Sequence, residues 1–145
     1  MIKGKKFEIS IDRLFKSKEK VDLFFKRAEN FLKGANERHI DRDWDLTCFM
    51  TEQSAQLFLK AIILEQTSDF PKSHSIQELF GLLYNLTKDD KFKFDRKALI
   101  FLESSYFNAR YFTFTYEEDD AKEALKIVEE IKKLVGIIRC DEKKK

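Results

Sequence analysis

The chain has 145 residues, a formal net charge of +2, 37% charged residues, one proline and four glycines. A single domain of that length can bury a core without disulfides, and so few breakers leave little of it for loops. The near-neutral balance excludes strong, sequence-blind binding to nucleic acid, and two cysteines, Cys48 and Cys140, exclude a disulfide framework and cannot by themselves make a zinc site.

Lysine and glutamate supply most of the charge, a composition common in proteins from hot habitats. The runs "KGKK", "KSKEK" and "KKK" read as solvated termini and a solvated helix face. No segment reaches the roughly 18 apolar residues of a membrane span, and the first residues lack the apolar stretch of a signal peptide. The expectation is a soluble, cytoplasmic protein.

Phe7, Ile9 and Ile11 alternate, as in an extended arm or a frayed lead-in, and residues 1–11 and 138–145 are expected to be flexible tails. Helical spacing then begins. Val21, Phe24, Phe25, Ala28, Phe31, Leu32 and Ala35 form one apolar stripe. "GANERHIDRD" breaks it, with Gly34 weakening the helix and two aspartates offering N-caps. The second helix spans about Asp43 to Gln66 and is apolar nearly all round, with Leu46, Phe49, Met50, Leu57 and Leu64 beside Cys48, Ala55, Phe58, Leu59 and Ile62. Such a helix belongs at the centre of a bundle.

"TSDFPKS" ends this helix, because the residue before Pro71 is pushed out of helical geometry. Ser75 and Glu78 have the spacing of a capping box for a short third helix, Ile76 to Leu86. "TKDDKFKF" is a polar connection. Phe94, Ala98, Phe101, Leu102, Ser105 and Ala109 mark a fourth helix, which "RYFTFTY" interrupts. Thr115 with Glu118 reads as a second capping box. Ala121, Ala124, Leu125, Val128, Ile131 and Val135 give a fifth stripe ending near Gly136. The fold class is all-α: an up-and-down antiparallel four-helix bundle with a fifth short helix, in one domain with a core of about 17–137.

Most catalytic signatures are missing. There is no glycine-rich phosphate loop, nucleophile elbow or HExxH pair. His39 and His74 are the only histidines. No metal or cofactor is expected, and no catalytic residue is assigned. His74, between Ser73 and Ser75, suits capping, packing or ligand contact. Lys60, in "LFLKAII", can lay its stem on the core while its ammonium reaches outward. Gln53 reads as a hydrogen-bonded polar residue within the bundle.

These stretches carry a resemblance. An aromatic opens the second helix, "EQSAQLFLKAII" continues it, "P-x-x-H-S-I-x-E-L" starts the third, "Y-F-N-A-R-Y" closes the fourth, and a capped, alanine-rich helix follows. In this order, over roughly residues 17–137, they resemble a HEPN domain, the "higher eukaryotes and prokaryotes nucleotide-binding" family. The resemblance implies five helices, a homodimer and, for many small prokaryotic and archaeal members, a minimal nucleotidyltransferase as partner in a toxin–antitoxin context.

Some members of that family are metal-independent endoribonucleases. They carry an arginine followed, four to six residues on, by a histidine. Arg110 matches the arginine, but no histidine follows residue 74. Cleavage through the RNA 2′-OH needs a group that exchanges a proton near neutral pH, which histidine does and tyrosine, with an ordinary pKa near 10, does poorly. The implied function is a non-catalytic module that binds a nucleotide, RNA or the nucleotidyltransferase. The alternative is a ribonuclease with a degenerate site that uses Tyr116 or His74. The candidate binding residues are Arg110, which can hold a phosphate bidentately or simply end a helix, Tyr111 and Tyr116, which can stack on a base, Lys60 and His74.

Overall fold

The structure, a computed structural model, describes the backbone of residues 2–111 and 115–144 and the side chains of residues 18–108, 111 and 115–140. Five helices follow in order: α1 (Ile2–Ile40), α2 (Trp44–Thr67), α3 (Ile76–Thr87), α4 (Arg96–Tyr111) and α5 (Glu118–Lys144). A single 3₁₀ turn, Asp90–Phe92, lies between α3 and α4. The described backbone contains no strand. The antiparallel bundle with its one short helix, α3, is the architecture that the apolar stripes require.

Helix α2 is the hub, packing against α1, α3, α4 and α5. Its buried residues run from Thr47 to Leu64 around most of its circumference. Small residues let α1 and α2 approach closely. Ala28, Ala35 and Ala55 are fully buried, and the Ser54 hydroxyl donates across the interface to the Ala28 carbonyl at 2.7 Å. On the opposite side, Ala121, Ala124, Val128, Ile131 and Val135 of α5 are buried.

The helix boundaries separate strong local signals from weak ones. Asp43 caps α2, its carboxylate accepting from the Leu46 N–H at 3.2 Å. Ser75 caps α3, its hydroxyl accepting from the Glu78 N–H at 3.2 Å. Ser68 and Lys88 turn left-handed, with φ of 63° and 54°, and close α2 and α3 through their own N–H groups. Two expectations shift. Helix α1 reaches back to Ile2, placing Phe7, Ile9 and Ile11 in helix, where Phe7, Ile11 and Leu14 also stand at helical spacing. The cap of α5 lies two residues on from Thr115 and Glu118: the Glu117 N–H donates to the Asp120 carboxylate at 2.8 Å. Residues 112–114 of "RYFTFTY" lie outside the described residues.

Neither Gly34 nor Gly136 stops its helix, since α1 continues to Ile40 and α5 to Lys144. Neither has the positive φ that a helix-ending glycine adopts. A Cβ on Gly34 would meet Met50 Sδ at 3.1 Å, so that glycine serves the close crossing of α1 and α2. A Cβ on Gly136 would meet nothing within 4 Å. Gly136→Ala is therefore expected to stabilise the protein by about 0.5–1 kcal/mol through helix propensity. Gly34→Ala should gain less or lose, because Met50 must move. Urea unfolding of the two variants beside the parent checks the ordering.

Candidate functional site

Most of α2 is apolar, but Glu52, Gln56 and Lys60 recur every four residues and so share one face. All three are buried, at 0%, 4% and 6% exposure. Beside them Phe49, Gln53 and Leu57 form a half-buried row. Gln56 and Lys60 of the first row and all of the second floor a cleft of about 370 Å³ whose walls are Phe70, His74 and Tyr106, with Glu52 buried behind Gln53 and Gln56. This is within the size range of small-molecule sites.

Two stacked aromatic pairs build those walls. Phe70 stacks on Phe24 of α1, centroids 4.5 Å apart. The His74 ring stacks on Tyr106 of α4 at 5.2 Å. Together they fix the 68–75 segment across the mouth of the cleft. The start of α3 is held from α4: Glu103 accepts from the Ser75 hydroxyl at 2.7 Å, the Gln77 N–H at 3.2 Å and the Gln77 side-chain amide at 3.1 Å. A carboxylate on a helix N-terminus also complements the helix dipole. The Ser75–Glu78 cap is relayed by a third residue, since the Ser73 hydroxyl takes the Ser75 N–H and donates to the Glu78 carboxylate. His74 is left out of the cap and faces the cleft.

Three features set the electrostatics. The Lys60 ammonium has no hydrogen bond or salt bridge among the described residues; its contact is the face of Phe70, 5.3 Å away. Desolvation lowers the Lys60 pKa below its ordinary value, partly opposed by the field of Glu52. The Glu52 carboxyl accepts from Gln53 Nε2 at 2.8 Å and Gln56 Nε2 at 2.5 Å, yet burial pushes its pKa up to about 7, with Glu103 adding to the rise. The Gln56 carbonyl oxygen in turn lies 3.3 Å from His74 Nδ1. With the Gln56 amide in this orientation its oxygen accepts and Nδ1 donates. Among the described residues no three His, Cys, Asp or Glu side chains could hold a metal.

Of the five candidates, Lys60 and His74 meet in this cleft. The Lys60 stem lies on the core as expected, but its ammonium ends in the cleft rather than in open solvent. Tyr111 is elsewhere, 59% exposed and packed on Phe107. Tyr116 is buried at 6% exposure, edge-on to Phe101. Its hydroxyl meets Ser104 at 3.1 Å and accepts from Asn108 at 2.9 Å, while its N–H donates to Asp45 at 2.6 Å. It ties α4 and α5 to the start of α2, and a base has no access to its ring. Arg110 stands in the last turn of α4, one turn beyond Tyr106; its side chain lies outside the described residues.

A model of the HEPN domain matches residues 21–138, most of the chain. The chain belongs to the HEPN family. The HEPN fold is shared with two solved structures. TT1696 from Thermus thermophilus is 24% identical, with a TM-score of 0.67, over 80% of this chain and 95% of that one. ST0689, an archaeal HEPN homologue, is 25% identical, with a TM-score of 0.63, over 80% and 94%. No curated protein matches. No helix among the described residues of this HEPN domain is long and apolar enough to cross a membrane.

The sequence reading missed Gln56, Phe70 and Tyr106 as cleft residues, and Glu52 as the buried group that holds Gln56. The polar triplet at four-residue spacing was the available signal for Glu52 and Gln56. Glu52 also dictates a pH dependence. Its folded pKa of about 7 exceeds the ordinary 4.5, so the native state holds the proton more tightly and stability falls as pH rises from about 4.5 through 7. The expected loss is on the order of 3 kcal/mol. Urea unfolding at pH 5 and pH 8 should show Glu52→Gln losing less stability over that interval than the parent.

Proposed function

We propose that this HEPN domain is a non-catalytic binding module that holds a nucleotide, or the end of an RNA, in the cleft on α2 and works as a dimer with a nucleotidyltransferase partner. The observation that carries the reading is Lys60. Lys60 is 6% exposed as a residue and its ammonium makes no hydrogen bond or salt bridge among the described residues. Desolvation disfavours its charge, the field of Glu52 offsets this only in part, and a phosphate would supply a direct partner. The cleft adds Phe49, Leu57 and Phe70 as apolar surface for a base, and the amides of Gln53 and Gln56 beside them.

The absence of a histidine after Arg110 supports a binding role over catalysis. In the rival ribonuclease reading, Tyr116 loses ground because it is buried and engaged by Ser104 and Asn108. His74 keeps it, since Gln56, itself held by Glu52, orients the ring as a catalytic base needs. RNA cleavage that His74→Ala abolishes would favour this rival.

A dimer has a surface to use. Ile100, Phe107 and Tyr111 of α4 are 45%, 63% and 59% exposed. Their spacing of seven and four residues aligns them on the face opposite the buried Leu99, Leu102 and Ser105. A large apolar stripe left to solvent marks an interaction surface.

Two outcomes are expected. AMP, GMP, CMP or UMP at 100 times its dissociation constant should raise stability by about 2.7 kcal/mol, a melting shift of several degrees, and Lys60→Met should remove the shift without unfolding the domain. Phe107→Glu should convert a dimer to a monomer in light scattering while leaving the nucleotide shift in place. Equal shifts in parent and Lys60→Met would refute the cleft as the site.

A further inference from the structure

From the buried Glu52 a chain of three side chains runs through Gln56 to His74 at the cleft, and its hydrogen bonds allow two self-consistent arrangements. In the first, Glu52 is ionised. Both carboxylate oxygens accept, from Gln53 Nε2 and Gln56 Nε2. Gln56 therefore points its oxygen at His74, Nδ1 of His74 donates to it, and Nε2 is left with a lone pair. His74 lines the cleft, and Nε2 has no partner among the described residues. In this state the cleft shows an acceptor at His74.

The second arrangement follows from adding one proton to the carboxyl oxygen that faces Gln56. That oxygen becomes a donor, while the other still accepts from Gln53. Gln56 satisfies the new donor only by turning its amide end for end, so that its oxygen accepts from Glu52 and its nitrogen donates to His74 Nδ1. Nδ1 must then be the unprotonated nitrogen, and Nε2 carries the hydrogen. Every group in the chain remains satisfied in both states.

We propose that Glu52, Gln56 and His74 form a proton-operated selector, in which a proton on the buried carboxyl converts His74 Nε2 from acceptor to donor, so that the cleft binds an anionic oxygen, on Lys60 and His74 together, with uptake of a proton at Glu52. The proposal rests on the reading of the cleft as an anion site and adds its regulation. The site's class of ligand is an oxyanion that needs two donors, such as a phosphate ester. The surroundings favour the coupling. Glu52 is fully buried, and the charged groups whose fields reach it are Glu103 on α4, which favours the proton, and Lys60 on α2, which opposes it. An anion seated on Lys60 cancels that opposition, and so draws the proton in. His74 meets Tyr106 from α4 and Gln56 from α2. Glu78, the charged residue in the first turn of α3, is held by Ser73.

The chain has only two histidines, so ring-nitrogen NMR reads His74 directly, its signals identified by their loss in His74→Gln. In ligand-free protein at pH 8 the parent should show the Nδ1–H tautomer and Glu52→Gln, which mimics the protonated carboxyl, the Nε2–H tautomer. Sulfate, which does not titrate in this range, then serves as the anion in calorimetry. Its affinity for the parent should rise about fivefold from pH 8 to pH 7, the ratio of protonated fractions for a group titrating near 7. Glu52→Gln should bind it equally at both pH values, and Gln56→Met, which cuts the chain, should lose the pH dependence too. The same tautomer in parent and Glu52→Gln, or the same pH dependence in all three proteins, would overturn the proposal. If no protein binds sulfate, the anion-site reading and the proton-coupled binding fall together, while the ligand-free tautomers still decide the relay.

Discussion

Taking an ammonium group out of water is costly unless an anion meets it, and the position of Lys60 on the central helix builds part of that cost into the fold. Helix α2 is covered by the four other helices, so a long side chain on it cannot reach bulk water from every angle. The stem of Lys60 lies against the core and its charge ends over Phe70. A cation over an aromatic face recovers a small part of the lost hydration, about 0.5–2 kcal/mol. The field of Glu52 offsets a further part, and what remains favours something negative in the cleft.

The other polar groups of α2 show how the same constraint is met within the chain. Glu52 is fully buried, but two glutamine amides supply donors to its oxygens. Thr51 donates to the Cys48 carbonyl at 2.7 Å, and Ser54 to Ala28. Among these buried groups, Lys60 stands apart as the one facing a cleft without a hydrogen-bonding partner. The segment 68–75 then decides what can enter. It is anchored at one end by Phe70 on Phe24 and at the other by His74 on Tyr106, with Glu103 clamping the start of α3 behind it. The site is thus assembled by α1, α3 and α4 around the hub helix α2.

Much of the bundle was legible because burial imposes a 3.6-residue period on each stripe, and because Asp43 and Ser75 are strong caps whose hydrogen bonds form within three residues. The glycines were misleading. A glycine marks a helix end when it takes positive φ, and Gly34 and Gly136 do not, one serving a close helix crossing and the other standing open on the surface of α5. Local sequence cannot distinguish those cases. The site was half legible for a similar reason. Glu52, Gln56 and Lys60 are aligned by a single helix, whereas the contact of Gln56 with His74 spans 18 residues and depends on how the 68–75 segment crosses the bundle. Tyr116 shows the converse: an aromatic next to a recognisable motif suggests a ligand, but Asp45, 71 residues away, holds its backbone inside the fold.

The central claim is that Lys60 holds its charge in reserve for an anion, and titrating its Cε resonance tests that most directly. In the free protein the midpoint should lie below the ordinary 10.5, because desolvation opposes the charged form. AMP in large excess should move it upward, since a phosphate beside the ammonium favours the charged form. A midpoint that AMP leaves unchanged, in a protein whose Lys60 signal remains that of a folded domain, would contradict the claim.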